Sequence, residues 1–423
     1  MLRGADVVDQ GGRRRADVVV ADGVVRAVGP DAAREAPARA RVLDASGCVV
    51  APGLVDLHAH LREPGAEEAE TVESGGRAAA LGGYTAVVAM PNTDPPVDCA
   101  AVAREVLALG LGSPVEVAVA GAISVGRAGE RLAPMGELAE LGVRLFTDDG
   151  SGVQDGALMR RALDYARGLG VTLAQHCEDA QLAQGGAMHE GAWSSRLGLP
   201  GVPAAAEEAM LARDVALARL TRGRIHFLHL STAGSVELVR RAKAEGLAVT
   251  AEVTPHHLVL TDAACAGYDP TFKVSPPLRG DDDVARLREG LEDGTIDAIA
   301  TDHAPHAPEA KDLPFDEAPP GMLGLETALP LALSVLGLTR ALACLSWHPA
   351  AIAGLAPRHG GPVAEGAEAN LCVIDPQATW TVDPARLASR SRNTPYAGWT
   401  LSGRVRHTIV AGDAVVVDGE LAR

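Results

Sequence analysis

The sequence predicts an α/β protein in which a (β/α)8 TIM-like barrel carries a small β-sandwich domain built from both ends of the chain. At 423 residues, the chain is long enough for a barrel of about 250 to 300 residues and a second, smaller domain. Short apolar runs alternate with helical stretches through the middle of the chain, which is typical of a parallel sheet. Both ends instead show the alternating pattern of antiparallel strands.

The two ends of the chain are predicted to form one β domain. Alternating apolar and polar residues favour strands in segments 16–20, 23–28, 370–374 and 405–410. Gly412 and Asp413 then give a hairpin turn before Ala414–Val417. We therefore divide the chain into a first part of the β domain, the barrel and a second part of the β domain, at residues 1–50, 51–360 and 361–423.

Eight strand candidates lie between the two ends, at residues 55–60, 84–90, 115–121, 143–147, 171–176, 225–230, 247–253 and 298–302. Helical stretches such as 204–220 and 235–244 separate them. Eight is the number of strands that closes a (β/α)8 barrel. An irregular stretch rich in Pro, Asp and Glu, 304–320, follows the eighth strand. Loops of this length are commonly functional, and we interpret this one as a lid.

The composition excludes several classes of partner. The formal net charge of −17 disfavours nucleic acids and anionic membranes, because both attract basic surfaces. No apolar run approaches the roughly 20 residues that cross a bilayer, and we expect a cytoplasmic protein. The six cysteines have no CxxC pairing, so we expect reduced thiols.

His58 and His60 give the strongest local indication of a metal site. The His-x-His spacing puts both imidazoles on one face of an extended strand, as two ligands of one metal require. His176, His229 and Asp302 end later apolar strands, at the face where barrel enzymes assemble their sites. The sequence therefore predicts that these five side chains converge on a metal centre.

Five segments resemble, in order, the motifs of bacterial type I dihydroorotases: GLVDLHAHLREPG at 53–65, MPNT at 90–93, HCED at 176–179, TPHHL at 254–258 and ATDHAPH at 300–306. The resemblance covers essentially the whole chain. It implies a zinc-containing amidohydrolase barrel with one or two ions per subunit, two being favoured. It also implies reversible hydrolysis of dihydroorotate to N-carbamoyl-L-aspartate in pyrimidine biosynthesis.

The fourth predicted strand separates this family from its relatives. Hydantoinases and allantoinases bridge two metals with a carboxylated lysine there, but the only lysines of this chain lie elsewhere, at Lys243, Lys273 and Lys311. The chain has Asp148 and Asp149 instead, which resembles the dihydroorotase variant with a bridging aspartate. The spacing to His176 favours Asp149 by similarity, and the sequence alone leaves both open.

The resemblance assigns the carboxylate of the substrate to Arg62, Asn92 and His306. Arg62 follows the His-x-His pair by two residues and is expected on the same strand face, where its guanidinium fork matches a carboxylate. A substrate-binding asparagine of the family is replaced by Ser275, which offers one hydroxyl in place of an amide. Gly321 is expected to add backbone contacts.

A charge count is consistent with an anionic substrate. Two Zn²⁺ with four neutral histidines, Asp149, Asp302 and one hydroxide keep about one net positive charge. Zinc lowers the pKa of bound water from about 15.7 towards 7. Asp302 is then the expected catalytic residue, which takes this proton and delivers it to the leaving ring nitrogen.

Two other functions fit part of the pattern. The first is a hydantoinase or allantoinase, which the missing lysine disfavours. The second is a catalytically weak dihydroorotase-like scaffold for aspartate transcarbamoylase, which the retention of every expected ligand disfavours. An active enzyme can also bind such a partner, and a complex with the transcarbamoylase stays open. We expect a homo-oligomer, since this is the common state of soluble enzymes.

Overall fold

The computed structural model describes residues 1–422. The first strands are β1 (Leu2–Asp9), β2 (Gly12–Ala21), β3 (Val24–Gly29), β4 (Leu43–Asp44) and β5 (Val49–Pro52). The central strands are β6 (Leu54–Ala59), β7 (Tyr84–Ala89), β8 (Glu116–Val119), β9 (Leu145–Phe146), β10 (Thr172–Gln175), β11 (Met188–His189), β12 (Gly201–Val202), β13 (Ile225–Phe227), β14 (Val249–Val253) and β15 (Ala298–Ile299). The last strands are β16 (Leu371–Thr381), β17 (Thr400–Val410), β18 (Asp413–Val417) and β19 (Glu420–Leu421).

The two ends of the chain form one sheet, in the order β19-β18-β17-β16-β5-β1-β2-β3 with β4 beside β1. Strand β5 joins the two ends, because it pairs parallel with β1 and antiparallel with β16. Side chains from both ends, including Val7, Val50 and Val373, pack into one buried cluster. The prediction that both ends form one β unit is confirmed, and the boundaries at residues 50 and 360 stay a prediction.

The barrel consists of β6 to β10 and β13 to β15, which pair in parallel. A bridge between Gly121 and Phe146 connects β8 to β9, and a bridge between Ala59 and His303 connects the eighth strand back to the first. All eight predicted strands are therefore confirmed, within three residues of their predicted bounds.

The α-helices cover the barrel and its ends. They are α1 (Val72–Leu81), α2 (Ala100–Gly110), α3 (Met135–Glu140), α4 (Gly156–Leu169), α5 (Ala192–Leu197), α6 (Ala204–Thr221), α7 (Ala233–Ala244), α8 (Pro255–Val259), α9 (Asp281–Asp293), α10 (Pro308–Lys311), α11 (Ala328–Val335), α12 (Leu338–Leu342) and α13 (His348–Ile352). Among the described residues, no helix has the length and apolar character needed to cross a bilayer. The stretch 304–320 is irregular apart from α10.

A buried carboxylate ties the first barrel strand to the last. Asp56 on β6 accepts hydrogen bonds from the backbone N–H of Thr301 (2.9 Å) and from its hydroxyl (2.5 Å). Both residues are fully buried, and a buried carboxylate is tolerated only when it is hydrogen-bonded. This contact fixes the register in which His58 and Asp302 meet.

A cleft of about 920 Å³ separates the barrel from the terminal sheet and is lined by side chains that include Trp380, Arg404 and Glu326. Glu326 accepts a hydrogen bond from the backbone N–H of Ala388 (2.8 Å). Burial outweighs this bond and raises the pKa of Glu326 from 4.5 to about 7. The carboxyl therefore keeps its proton in the folded state at pH values where the unfolded chain has lost it.

We predict that Glu326→Gln changes how stability depends on pH. The raised pKa stabilises the fold below pH 4.5, and this contribution is lost as the pH rises through about 7. Glutamine keeps the hydrogen-bond acceptor and has no proton to lose. The difference in the free energy of unfolding between the variant and wild type, measured with urea, should shift in favour of the variant by about 1 to 3 kcal/mol from pH 4.5 to pH 8. An equal difference at both pH values would contradict the assignment.

Candidate active site

A cavity of about 420 Å³ opens at the carboxyl ends of the barrel strands. Ten of the eleven predicted site residues line it: His60, Arg62, Asn92, Asp149, His176, His229, Ser275, Asp302, His306 and Gly321. The remaining one, His58, is fully buried beside them. The structure therefore brings together side chains that lie up to about 260 residues apart in the sequence, as parallel barrel strands allow.

The carboxylate of Asp149 lies between two pairs of histidines. Its Oδ2 atom is 3.3 Å from His58 Nε2 and 3.5 Å from His60 Nε2. Its Oδ1 atom is 3.6 Å from His176 Nδ1 and 3.5 Å from His229 Nε2. A single carboxylate in this position can contact two ions at once.

Asp148, the alternative left open by the sequence, faces another part of the structure. Its Oδ1 atom accepts hydrogen bonds from the backbone N–H groups of Ile123 (2.9 Å) and Ser124 (3.0 Å), and its Oδ2 atom accepts one from the Ser124 hydroxyl. These bonds fix the loop that follows β8. Asp148 is absent from the cavity wall, so the geometry favours Asp149 as the bridging group.

Asp302 belongs to the half of the cluster that contains His58 and His60. Its Oδ1 atom is 3.0 Å from His60 Nε2 and 3.5 Å from His58 Nε2. The two histidine rings pack edge to face with their centroids 5.1 Å apart. The predicted convergence of the His-x-His pair with the end of the eighth strand therefore occurs.

The outer nitrogens of His58 and His60 have partners that fix the two rings. His60 Nδ1–H donates to Asn92 Oδ1 (2.8 Å), which leaves the Asn92 amide N–H groups for another acceptor. His58 Nδ1–H donates to Glu252 Oε1 (3.2 Å). Each ring then presents its Nε2 lone pair to the cluster, as metal-binding histidines commonly do.

Glu252 was missed by the sequence analysis. It is fully buried on β14, and its Oε2 atom accepts a hydrogen bond from His226 Nε2–H (3.0 Å). His226 in turn contacts the Thr250 hydroxyl (2.8 Å). The available signal was an ionisable residue inside an apolar strand, which is rare without a specific partner.

The backbone turns sharply where three site residues leave their strands. His229, Asp302 and Arg62 have φ angles of 30°, 45° and 62°, a region that residues other than glycine seldom adopt and that is enriched at active sites. Because β6 ends at Ala59, Arg62 is not on the strand face of His58, and that part of the prediction is wrong. Arg62 reaches the same cavity from the loop.

The predicted carboxylate-binding groups lie together at the mouth of the cavity. Arg62 Nε donates to the carbonyl of Pro305 (3.0 Å), and Arg62 Nη2 lies 3.5 Å from His306 Nε2. His306 Nε2–H is already donated to the carbonyl of Pro320 (2.9 Å). Arg62 and Asn92 therefore have free donors in this structure, whereas His306 has to exchange a bond to contact a ligand.

Ser275 and Gly321 line the cavity, and both already make hydrogen bonds within the protein. The Ser275 hydroxyl donates to Glu178 Oε2 (3.3 Å), which itself lines the cavity and was given no role by the sequence analysis. The N–H of Gly321 donates to Lys273 (2.8 Å), and its carbonyl accepts from Asn393 (3.1 Å). The N–H of Gly321 is therefore already used, its carbonyl keeps a second lone pair, and the expected backbone contact to the substrate stays a prediction.

The electrostatics of the cluster favour a cation at its centre. Burial acts to raise the pKa of Asp149, but the neighbouring His58, His176 and His229 hold it well below its usual range. Burial acts to lower the pKa of His58, yet Asp149 and Asp302 raise it well above its usual range. Without a metal, a buried proton has to supply the positive charge that the two carboxylates require.

The residues present fit a metal ion. His58 Nε2 and Asp149 Oδ1 are buried and make no hydrogen bond, although buried polar atoms nearly always have a partner. Two sets of side chains bring their ligand atoms within 4.8 Å of one another: His58, Asp149 and His229, and His58, His60 and Asp302. Imidazole nitrogens and carboxylate oxygens are ligands that divalent transition metals accept.

Comparison with solved structures agrees with the fold described here. An L-hydantoinase from Arthrobacter aurescens, also named as a dihydropyrimidinase, superposes with a TM-score of 0.87 at 26% sequence identity, over 100% of this chain and 97% of the other. A D-hydantoinase from Thermus sp. gives a TM-score of 0.85 at 25% identity, over 100% and 96% of the two chains. These similarities confirm the predicted barrel with its β domain.

Sequence comparison is more specific. The family model described as Dihydro-orotase-like matches residues 47–235. Curated relatives named dihydroorotase include those of Pelotomaculum thermopropionicum, 51% identical over 99% of this chain and 98% of the relative, and Streptomyces coelicolor, 50% identical over 100% and 99%. The relative from Mycobacterium tuberculosis is 48% identical over 100% and 99%. The chain belongs to the dihydroorotase family.

Proposed function

We propose that this chain catalyses the reversible hydrolysis of (S)-dihydroorotate to N-carbamoyl-L-aspartate at a zinc centre bridged by Asp149. The position of the Asp149 carboxylate between two histidine pairs carries the proposal. Family membership supports the reaction, since the curated relatives are dihydroorotases. The positive charge of Arg62 at the mouth of the cavity supports dihydroorotate as the substrate, since this molecule carries one carboxylate.

Two zinc ions fit the donor set best. One would be held by His58, His60 and Asp302, the other by His176 and His229, with Asp149 shared between them. Nitrogen and oxygen donors of this kind are usual for zinc sites in hydrolases. When bound, zinc supplies Lewis acidity, which lowers the pKa of water towards 7 and polarises a carbonyl.

Arg62 and Asn92 are the proposed anchors of the substrate carboxylate. Arg62 donates its Nε–H to the carbonyl of Pro305, which leaves the N–H groups of its Nη nitrogens for the substrate. Asn92 uses only its Oδ1 atom and keeps its amide N–H groups for the substrate. Burial and then Arg62 lower the pKa of His306 to about 3, so the ring is neutral at pH 7. His306 would join the anchors by exchanging its bond to Pro320 for one to the substrate.

Asp302 is the proposed catalytic residue. Burial acts to raise the pKa of Asp302, but the neighbouring His58 and His60 lower it, so the carboxyl group is ionised. It lines the cavity beside Asp149 and the histidines. It would accept a proton from the attacking water at a carboxylate oxygen and donate it to the ring nitrogen as the amide bond breaks, and the reverse transfer closes the ring.

A homo-oligomeric state, a complex with aspartate transcarbamoylase and a cytoplasmic location remain predictions from the sequence. Size-exclusion chromatography of the chain alone, and of the two proteins mixed at micromolar concentration, tests the first two. Separate migration of the mixed proteins would contradict the prediction that they form a complex.

The substrate proposal predicts that purified protein opens dihydroorotate in preference to hydantoin and allantoin. The latter two rings carry no carboxylate for Arg62 and Asn92, and they lose that binding energy. Measurement of kcat/KM for all three compounds in one zinc-loaded preparation provides the test. Faster turnover of hydantoin or allantoin would contradict the proposal and indicate a hydantoinase or an allantoinase instead.

The mechanism predicts that Asp302→Asn retains bound metal but lowers kcat by about 100- to 10,000-fold, the usual contribution of a general acid–base. Asparagine keeps an oxygen donor and loses the ability to carry a proton. Zinc content by elemental analysis and steady-state kinetics in both directions provide the measurement. Asp418→Asn, at an exposed position paired with Arg406, is the control. Wild-type turnover by Asp302→Asn would remove Asp302 from the mechanism.

A further inference from the structure

Two segments outside the metal cluster lie next to each other in the wall of the cavity. One is the tail of the irregular stretch, which contributes Pro319, Pro320 and Gly321. The other is a segment that follows α8 and contributes Lys273 and Ser275. The shape of this wall depends on how the two segments are held against each other.

The ammonium group of Lys311 joins the two segments. Lys311 is the last residue of α10 and only 9% exposed. Its Nζ atom donates to the carbonyl of Pro319 (2.8 Å) in one segment and to the carbonyl of Pro270 (3.0 Å) next to the other. Hydrogen bonds from a charged donor are about twice as strong as neutral ones, so these two are substantial links.

A second lysine, Lys273, reaches from the segment after α8 to the irregular stretch. Lys273 Nζ donates to the carbonyl of Asp316 (2.9 Å), and the carbonyl of Lys273 accepts the N–H of Gly321 (2.8 Å). Phe315, next to Asp316 in the sequence, is 3% exposed in an apolar cluster with Met188 and Cys265. Two of the three lysines in the chain are therefore used at this one junction.

The charges around Lys311 argue against a role in stability alone. Among the described residues, the lysine that forms an ion pair is Lys243, with Asp297, and Lys311 forms none. Burial, and then repulsion from Lys273, lower its pKa to about 7, with Asp269 acting in the opposite direction. A buried ammonium without a counter-ion is costly, and an apolar side chain of similar size would commonly serve stability better.

We propose that Lys311 is a positioning residue, whose two hydrogen bonds set the separation between the segment 319–321 and the segment 273–275 and thereby fix the substrate-binding side of the cavity. It touches neither the metal ligands nor the reacting atoms. Its loss should therefore weaken substrate binding and leave the chemical step largely intact. The kinetic part of this inference rests on the proposed function.

The test compares Lys311→Met, which keeps the length of the side chain, with Lys243→Met as matched control. Lys243 also makes two hydrogen bonds, to Gly294 and Asp297, but Asp297 precedes β15 at the opposite end of the barrel. We expect Lys311→Met to raise KM for dihydroorotate about tenfold with kcat within about threefold, the scale of lost charged hydrogen bonds. Lys311→Arg, which keeps charge and donors, should recover most of the wild-type KM.

Hydrogen exchange of the substrate-free protein provides a readout that is independent of turnover. Lys311→Met should accelerate exchange in segments 312–321 and 270–275, and Lys243→Met should not. Unchanged exchange, an unchanged KM, or a KM as poor in Lys311→Arg as in Lys311→Met would overturn the inference. Should Lys311→Met unfold, Lys311→Gln, too short to reach both carbonyls, takes its place. Absence of wild-type turnover would remove the proposed function, while the exchange data still decide whether Lys311 joins the segments.

Discussion

The Asp149 carboxylate, fixed between two histidine pairs, is the interaction on which the rest of the site depends. It is 2% exposed, and an anion buried to this degree needs compensating positive charge. His58 and His60 contact one of its oxygens, His176 and His229 the other. A divalent cation on each side, as proposed, would satisfy this arrangement with neutral histidines, and the excess positive charge would then favour an anionic substrate.

The fold delivers these side chains through a few buried contacts. Asp56 and Thr301 close the barrel, and this closure brings the ends of the first and eighth strands together. Glu252 orients the ring of His58 from the seventh strand. Lys311 lies farther out, between two loops, and acts on the shape of the cavity and not on the metal. The site is thus built in layers, with the charged cluster innermost.

Strand periodicity and motif spacing were sufficient to predict the barrel, the β unit and the convergence of five side chains, His58, His60, His176, His229 and Asp302. The sequence could not separate Asp148 from Asp149, because adjacent residues differ only in which way the turn after β9 directs them. Arg62 was placed on a strand that in fact ends at Ala59. Glu252 was missed because its partner His58 lies 194 residues away, although an ionisable residue inside an apolar strand was a signal. Lys311 was missed because it contacts only backbone carbonyls, those of Pro319 and of the more distant Pro270, which no side-chain pattern encodes.

Zinc stoichiometry of two matched variants, Asp149→Asn and Asp148→Asn, decides which aspartate is shared between the two zinc ions of the proposed centre. Both remove one negative charge from adjacent positions and keep the side-chain volume. We expect wild type and Asp148→Asn to bind two zinc ions per chain by elemental analysis, and Asp149→Asn to bind one at most, because a neutral amide is a poor bridge between two cations. Full occupancy in Asp149→Asn, or loss of zinc in Asp148→Asn instead, would contradict this expectation.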